Sequence, residues 1–178
     1  MRNVAMSIYL ILTSLSLSTK IAGAITPAWE EQEIATGWQL KSLSPRPWLE
    51  KNIITAIHQG KRDEDWLDVP TMPAMVHDTL VHHGKIEAPW RSGAAEACQW
   101  VSDLDWLYAC QFSAPQSEAP ARLRFLGLDT LVDVYLNGEH VASHWNMYLP
   151  LEIDVTGRLK PKNTLILHFH TVFIKAEG

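Results

Sequence analysis

His168 and His170 stand two apart in the run Thr164–His170, TLILHFH. Residues i and i+2 of a strand share a face, and two imidazoles on one face are a geometry that some metal sites use. No third ligand lies near them in the sequence, so the pair reads as histidines on the solvent side of an outer sheet face. His82 and His83 fall at a helix end, where a cation near the C-terminus is favourable in itself, and read as capping residues. Nucleophilic catalysis would need a strand–turn–helix elbow of the G-x-S-x-G type, and the chain has none; it has no glycine-rich phosphate loop either. Aspartates and glutamates occur throughout, so paired carboxylates for glycoside hydrolysis are available in principle, but none stands in an informative context. The eight tryptophans, at 29, 38, 48, 66, 90, 100, 106 and 145, are the unusual component. Indole rings fill cores and also stack on the apolar faces of sugars. Most are expected in the core; Trp90, Trp100 and Trp145 fall in loops and are the candidates for a ligand surface.

The elements that must position these residues are best defined between Ala121 and Asp154. A strand (Ala121–Leu126), a Gly127–Thr130 corner, a second strand (Leu131–Leu136), an Asn137-Gly138 turn and a return strand (Glu139–Ser143) follow one another. Asn-Gly between strand-like runs signals a type I′ hairpin, because both central residues need positive φ. Leu123 and Phe125 oppose Arg122 and Arg124, and Val132, Val134 and Leu136 oppose Asp133, so each strand has an apolar face that needs a second layer. Further strands are expected at Gly37–Leu40, Trp66–Pro70, Trp106–Ser113, Leu151–Val155 and Thr164–His170. Pro73 opens one short helix, Ala74–His83, which Gly84 stops. Trp48–His58 fits a helix or a strand, and Ile25–Glu33 reads as a loosely ordered lead-in. Short strands with turn signals between them and one short helix indicate an all-β sandwich.

The N-terminus has Arg2, an apolar run near Val4–Leu17 and the triplet Ala22-Gly23-Ala24, the pattern of a secretory signal peptide too short to span a bilayer. Cleavage is expected after Ala24, with the protein secreted or periplasmic. It leaves one domain, residues 25–178, with no membrane partner. Loss of Arg2 and Lys20 with no acidic residue moves the net charge from −5 to −7. A chain this acidic, without a basic stripe, lacks the phosphate-neutralising footprint of a nucleic-acid binder. Cys98 and Cys110, the only cysteines, could pair in an exported protein or remain separate thiols. Cys110 shares parity with Trp106, Tyr108 and Phe112 and is expected to face the core.

Four segments in order resemble one family: Val69–Ile86 (VPTMPAMVHDTLVHHGKI), Gln99–Tyr108 (QWVSDLDWLY), Gly127-Leu128-Asp129-Thr130 with Val134–Gly138, and Asn146–Pro150 with Ile153–Thr156. Together they look like the N-terminal sugar-binding domain of glycoside hydrolase family 2, most closely its β-mannosidase branch, across roughly Trp38 to Phe173. The resemblance implies a jelly-roll, galactose-binding-like β-sandwich packed against a catalytic (β/α)₈ barrel, with substrate contacts at the rim and no organic or metal cofactor. In the family two glutamates of the barrel carry the reaction, and a Gly-Trp-Asp-Trp-Gly-Pro stretch leads into the closing strand of the sandwich. Neither is present here, so no catalytic residue can be assigned. The chain is expected to be a fragment that lacks its closing strand and is inactive alone.

No substrate-contacting motif of the family carries over, and the candidates for sugar contact are the loop positions available to line such a rim: Trp100, Asp105, Trp145, Asn146 and Met147. The implied partners are β-mannoside-containing glycans and the catalytic barrel of a longer chain. Two other readings stay open: a different family 2 enzyme, a β-galactosidase or β-glucuronidase, and a stand-alone secreted carbohydrate-binding module.

Overall fold

The computed structural model describes residues 7–14, 28–44, 47–91 and 93–171. Among these residues ten strands form two antiparallel sheets. The larger has β4 (Leu67–Asp68), β3 (Gln39–Leu43), β5 (Asp105–Ser113), β10 (Lys162–Phe169), β7 (Val132–Leu136) and β8 (Glu139–His144) side by side in that order. The smaller is β2 (Ala28–Glu33), β1 (Ile8–Ser14), β6 (Ala121–Phe125) and β9 (Leu151–Asp154). The sheets face each other as the alternation requires. Leu40, Trp106, Tyr108, Cys110, Val134, Leu165 and Leu167 from one meet Ile8, Leu10, Leu123, Phe125 and Ile153 from the other in a single core. Trp38 closes one side, buried to 1 %, with its indole N–H donating to the Ile34 carbonyl at 2.8 Å. Arg122 and Arg124 point outward as their parity demands and pair with Glu152 at 3.5 and 3.3 Å.

The second face of the larger sheet is also covered. Helix α1 (Pro47–His58) lays Ile53, Ile54 and Ile57 on Leu43, Leu107, Ala109 and Ile166. This settles the ambiguity at Trp48–His58: the isoleucines at 53, 54 and 57 fall on one helical stripe. With α2 (Val76–His82) and α3 (Ala94–Ala97), it corrects the expectation of one short helix. The Asn137–Gly138 turn is as expected, with φ of 54° and 86°. Asn137 also anchors its surroundings. Its Nδ2 donates to the Arg158 carbonyl and to Asn163 Oδ1, and its Oδ1 accepts from the Thr164 N–H. Cys98 and Cys110 are separate buried thiols, Cys110 in the core between the sheets.

Two differences lie at the N-terminus. The expected lead-in contains β2, and Ile8–Ser14, inside the segment expected to be cleaved, is an inner strand. It pairs with β2 through Tyr9–Glu33 and with β6 through Leu10–Leu123, and it buries Ile8 and Leu10 completely. Apolar alternation at Ile8, Leu10 and Leu12 suits a core-facing strand as well as a leader.

Full burial of Ile8 and Leu10 is worth about 1.5–3 kcal/mol each, a large part of a stability of about 5–15 kcal/mol. Residues 25–178 alone should therefore lose cooperative urea unfolding and show fast amide exchange along Ala121–Phe125, the strand that pairs with β1. Gly138→Ala should cost about 1–3 kcal/mol in the full chain. The new Cβ sits at positive φ and would meet the His58 ring at 3.2 Å.

Candidate functional site

Register sets which loops share an end of the sandwich. Trp106 lies opposite Phe169, Phe169 opposite Val132, and Val132 opposite His144. The 3-10 turn Gln99–Asp103 before β5, the 126–131 connection and the 145–150 connection therefore gather at one end of the fold. Trp100, Leu126, Leu131, Trp145, Tyr148 and Leu149 are all exposed there, Trp145 to 72 % and Tyr148 to 76 %. Trp90 is exposed as well. All three tryptophans read from sequence as surface candidates thus project to solvent, while Trp38 and Trp106 are core.

Trp100 leans on Trp106 with ring centroids 6.3 Å apart and borders an open groove of about 500 Å³ with Lys85, Glu87 and Cys98. Asn146 shapes its loop: its Oδ1 accepts from the Tyr148 N–H at 3.0 Å and its carbonyl accepts from His144 Nε2 at 2.6 Å. Met147 beside it is half-buried. Asp105 stands apart from these residues. It is 5 % exposed and both carboxylate oxygens are engaged within the protein on the outer face of the larger sheet, so it does not project to solvent as Trp100 and Trp145 do.

What Asp105 meets is the histidine pair. His168 Nε2 lies 3.0 Å and His170 Nδ1 3.6 Å from Asp105 Oδ2, while Asp105 Oδ1 accepts from the Thr171 N–H at 2.8 Å. On the far side His170 Nε2 contacts Asp133 Oδ2 at 2.8 Å, and Asp133 also accepts from Ser143 Oγ and lies 3.3 Å from His140. The outer sheet face was the right placement for the histidines, but solvent exposure was not. His168 is buried to 2 % and His170 is half-buried. The missing third group was Asp105, 63 residues upstream of His168. Parity already put Asp133 and both histidines on outward faces; Asp105, expected in a loop, is the first residue of β5, and the β5–β10–β7 register, absent from local sequence, brings the four together.

This network holds its charges firmly. Pairing with Asp105 and then Asp133 outweighs burial and raises the His170 pKa to about 9. Burial pushes the Asp105 carboxyl up, but hydrogen bonds from His168, His170 and the Thr171 N–H overcome it and hold it well below the usual carboxylate range. Asp133 is lowered in the same way, chiefly through Ser143 and His170.

Comparison with known proteins bears on the whole chain. Residues 38–177 match the family described as glycosyl hydrolase 2 galactose-binding domain-like. Beta-mannosidase B of Thermothelomyces thermophilus is 36 % identical over 118 residues, covering 65 % of this chain and 14 % of that protein. Beta-mannosidase B of Emericella nidulans is 33 % identical over 154 residues, covering 84 % of this chain and 16 % of that protein. Among solved structures, the beta-D-mannosidase of Dictyoglomus thermophilum matches 76 % of the chain and 15 % of its own, with 24 % identity and a TM-score of 0.61. A beta-glucuronidase of an uncultured Clostridium species matches 80 % of the chain and 22 % of its own, with 20 % identity and a TM-score of 0.55. The chain thus spans about one sixth of the length of the mannosidases it matches. No helix among the described residues is long and apolar enough to cross a membrane.

The signs of the pKa shifts give a pH profile for stability. A raised His170 pKa stabilises fully below the unfolded value of 6.5, and that contribution fades as pH climbs through about 9. The lowered Asp105 and Asp133 values stabilise above the unfolded value of 3.8 and fade as pH falls below it. In the presence of EDTA, denaturant midpoints should be highest between these limits, and His170→Asn should flatten the alkaline limb. An unchanged alkaline limb in the variant would contradict the assignment.

Proposed function

The chain belongs to the glycosyl hydrolase 2 galactose-binding-like family and is a β-mannosidase-like member of it, and from that premise we propose that it serves as the non-catalytic front domain of an exported glycosidase that hydrolyses terminal β-mannosides. The observation that carries this reading is the match of 65 to 84 % of the chain to only 14 to 16 % of the length of the beta-mannosidases B. On this reading the reaction belongs to a larger catalytic chain, which works with two carboxylates and water. The end bearing Trp100, Trp145, Asn146 and Met147 meets that chain or the glycan. Exposed indoles and an apolar loop suit either, since both partners offer flat apolar surface.

Export would remove the leader and with it β1.

Sequencing the source DNA through codon 178, followed by assay of the encoded product on nitrophenyl β-mannoside, β-glucuronide and β-galactoside, tests the proposal. A frame continuing into a barrel with two glutamates, active on the mannoside, is the expected result. Preference for another glycoside would transfer the chain to a different family 2 activity. A stop at that codon would leave the binding-module reading, which requires that mannosides quench the fluorescence of the 178-residue chain and that Trp145→Ala reduce the quench.

A further inference from the structure

Asp105, His168 and His170 offer three donor atoms, one carboxylate oxygen and two imidazole nitrogens, that all lie within 4.8 Å of one another. We infer that these three side chains form a binding site for a divalent transition-metal ion such as zinc, clasping β5 to β10 at the loop-bearing end of the sandwich.

The distances support this. Zinc–ligand bonds of about 2.0–2.1 Å in a tetrahedral site place neighbouring ligand atoms about 3.3 Å apart. Asp105 Oδ2 stands 3.0 Å from His168 Nε2 and 3.6 Å from His170 Nδ1, on either side of that value. The donor set, two imidazoles and one carboxylate, suits zinc and its neighbours and leaves one position of a tetrahedron open.

The surrounding shell orients the ligands. Asp133 contacts His170 Nε2 at 2.8 Å. When that nitrogen donates its proton to Asp133, neutral His170 turns the lone pair of Nδ1 toward Asp105. Metal-bound histidines are held by a carboxylate on the second nitrogen in this way. Asp105 is fixed in turn by the Thr171 N–H on the oxygen that faces away from the histidines.

Charge points the same way. Two carboxylates, Asp105 and Asp133, face two imidazoles across the site, a setting that attracts a cation. Ion binding then displaces ring protons, as it does whenever histidines are ligands. Asp105 and His168 are buried whereas His170 and Asp133 are partly open, which gives the ion a route in from one side.

The test uses the full chain, treated with EDTA and dialysed. Zn²⁺ titrated in a calorimeter should bind one to one, and Co²⁺ should give the visible absorption of a four- or five-coordinate nitrogen–oxygen site. His170→Asn should abolish both signals. Asp133→Asn, which leaves the three ligands in place, should weaken binding about 10–100-fold at unchanged stoichiometry. His140→Gln should leave binding as it is. Tryptophan fluorescence of each variant checks that it is folded, and should the histidine variant unfold, the aspartate variant carries the test. Absence of saturable binding, or binding that survives both His170→Asn and Asp133→Asn, would overturn the inference.

Discussion

The register of β10 between β5 and β7 is the constraint on which the rest of this molecule depends. Six consecutive residues of that strand, Asn163–His168, are buried, because one face closes the sandwich and the other lies in the layer that includes α1. A strand buried on both sides cannot signal its register through an apolar–polar alternation. Here polar ties at each end do so. Asn137 receives the Thr164 N–H and bonds Asn163 at one end, and Asp105 takes His168 at the other. A slip of one residue would send Leu165 and Leu167 to the outer layer and turn His168 into the hydrocarbon core, separating it from Asp105.

The two polar ties differ in kind. The Asn137 cluster is neutral and satisfies backbone groups of the 158–164 turn, a local job. The Asp105 cluster joins strands distant in sequence and is ionic, and removing one member of a buried ionic group costs more than the group contributes, since the remaining charge is left without a partner. The end of the sandwich that carries the exposed indoles is thus fastened by a buried ionic cluster that tolerates the loss of a single member poorly. The loops there are displayed from a rigid base, as binding loops generally are.

Local chemistry made much of this legible. The Asn137–Gly138 hairpin, the outward Arg122 and Arg124, the core placement of Cys110 and the exposure of Trp90, Trp100 and Trp145 all follow from parity and turn chemistry, and the structure agrees. The helix at Pro47–His58 was ambiguous because β-branched isoleucines suit a strand equally well until a sheet face is there to receive them. The lead-in at Ala28–Glu33 became a strand because Ile8–Ser14 offers it a ladder, information held in another part of the chain. Asp105 falls among the expected rim residues for the same reason: nothing near it in sequence announces the histidines it meets.

The placement of Ile8–Ser14 also orders events in time. Its first neighbour, β2, emerges from the ribosome within about twenty residues, but Leu123 and Phe125, which flank it on the other side, are made more than a hundred residues later. At about 5–20 residues per second, that is an interval on the order of ten seconds. Throughout it, one edge of an apolar strand stands open beside a growing chain. The seven residues of this strand therefore wait half-paired, with Ile8 and Leu10 uncovered, until β6 has been made.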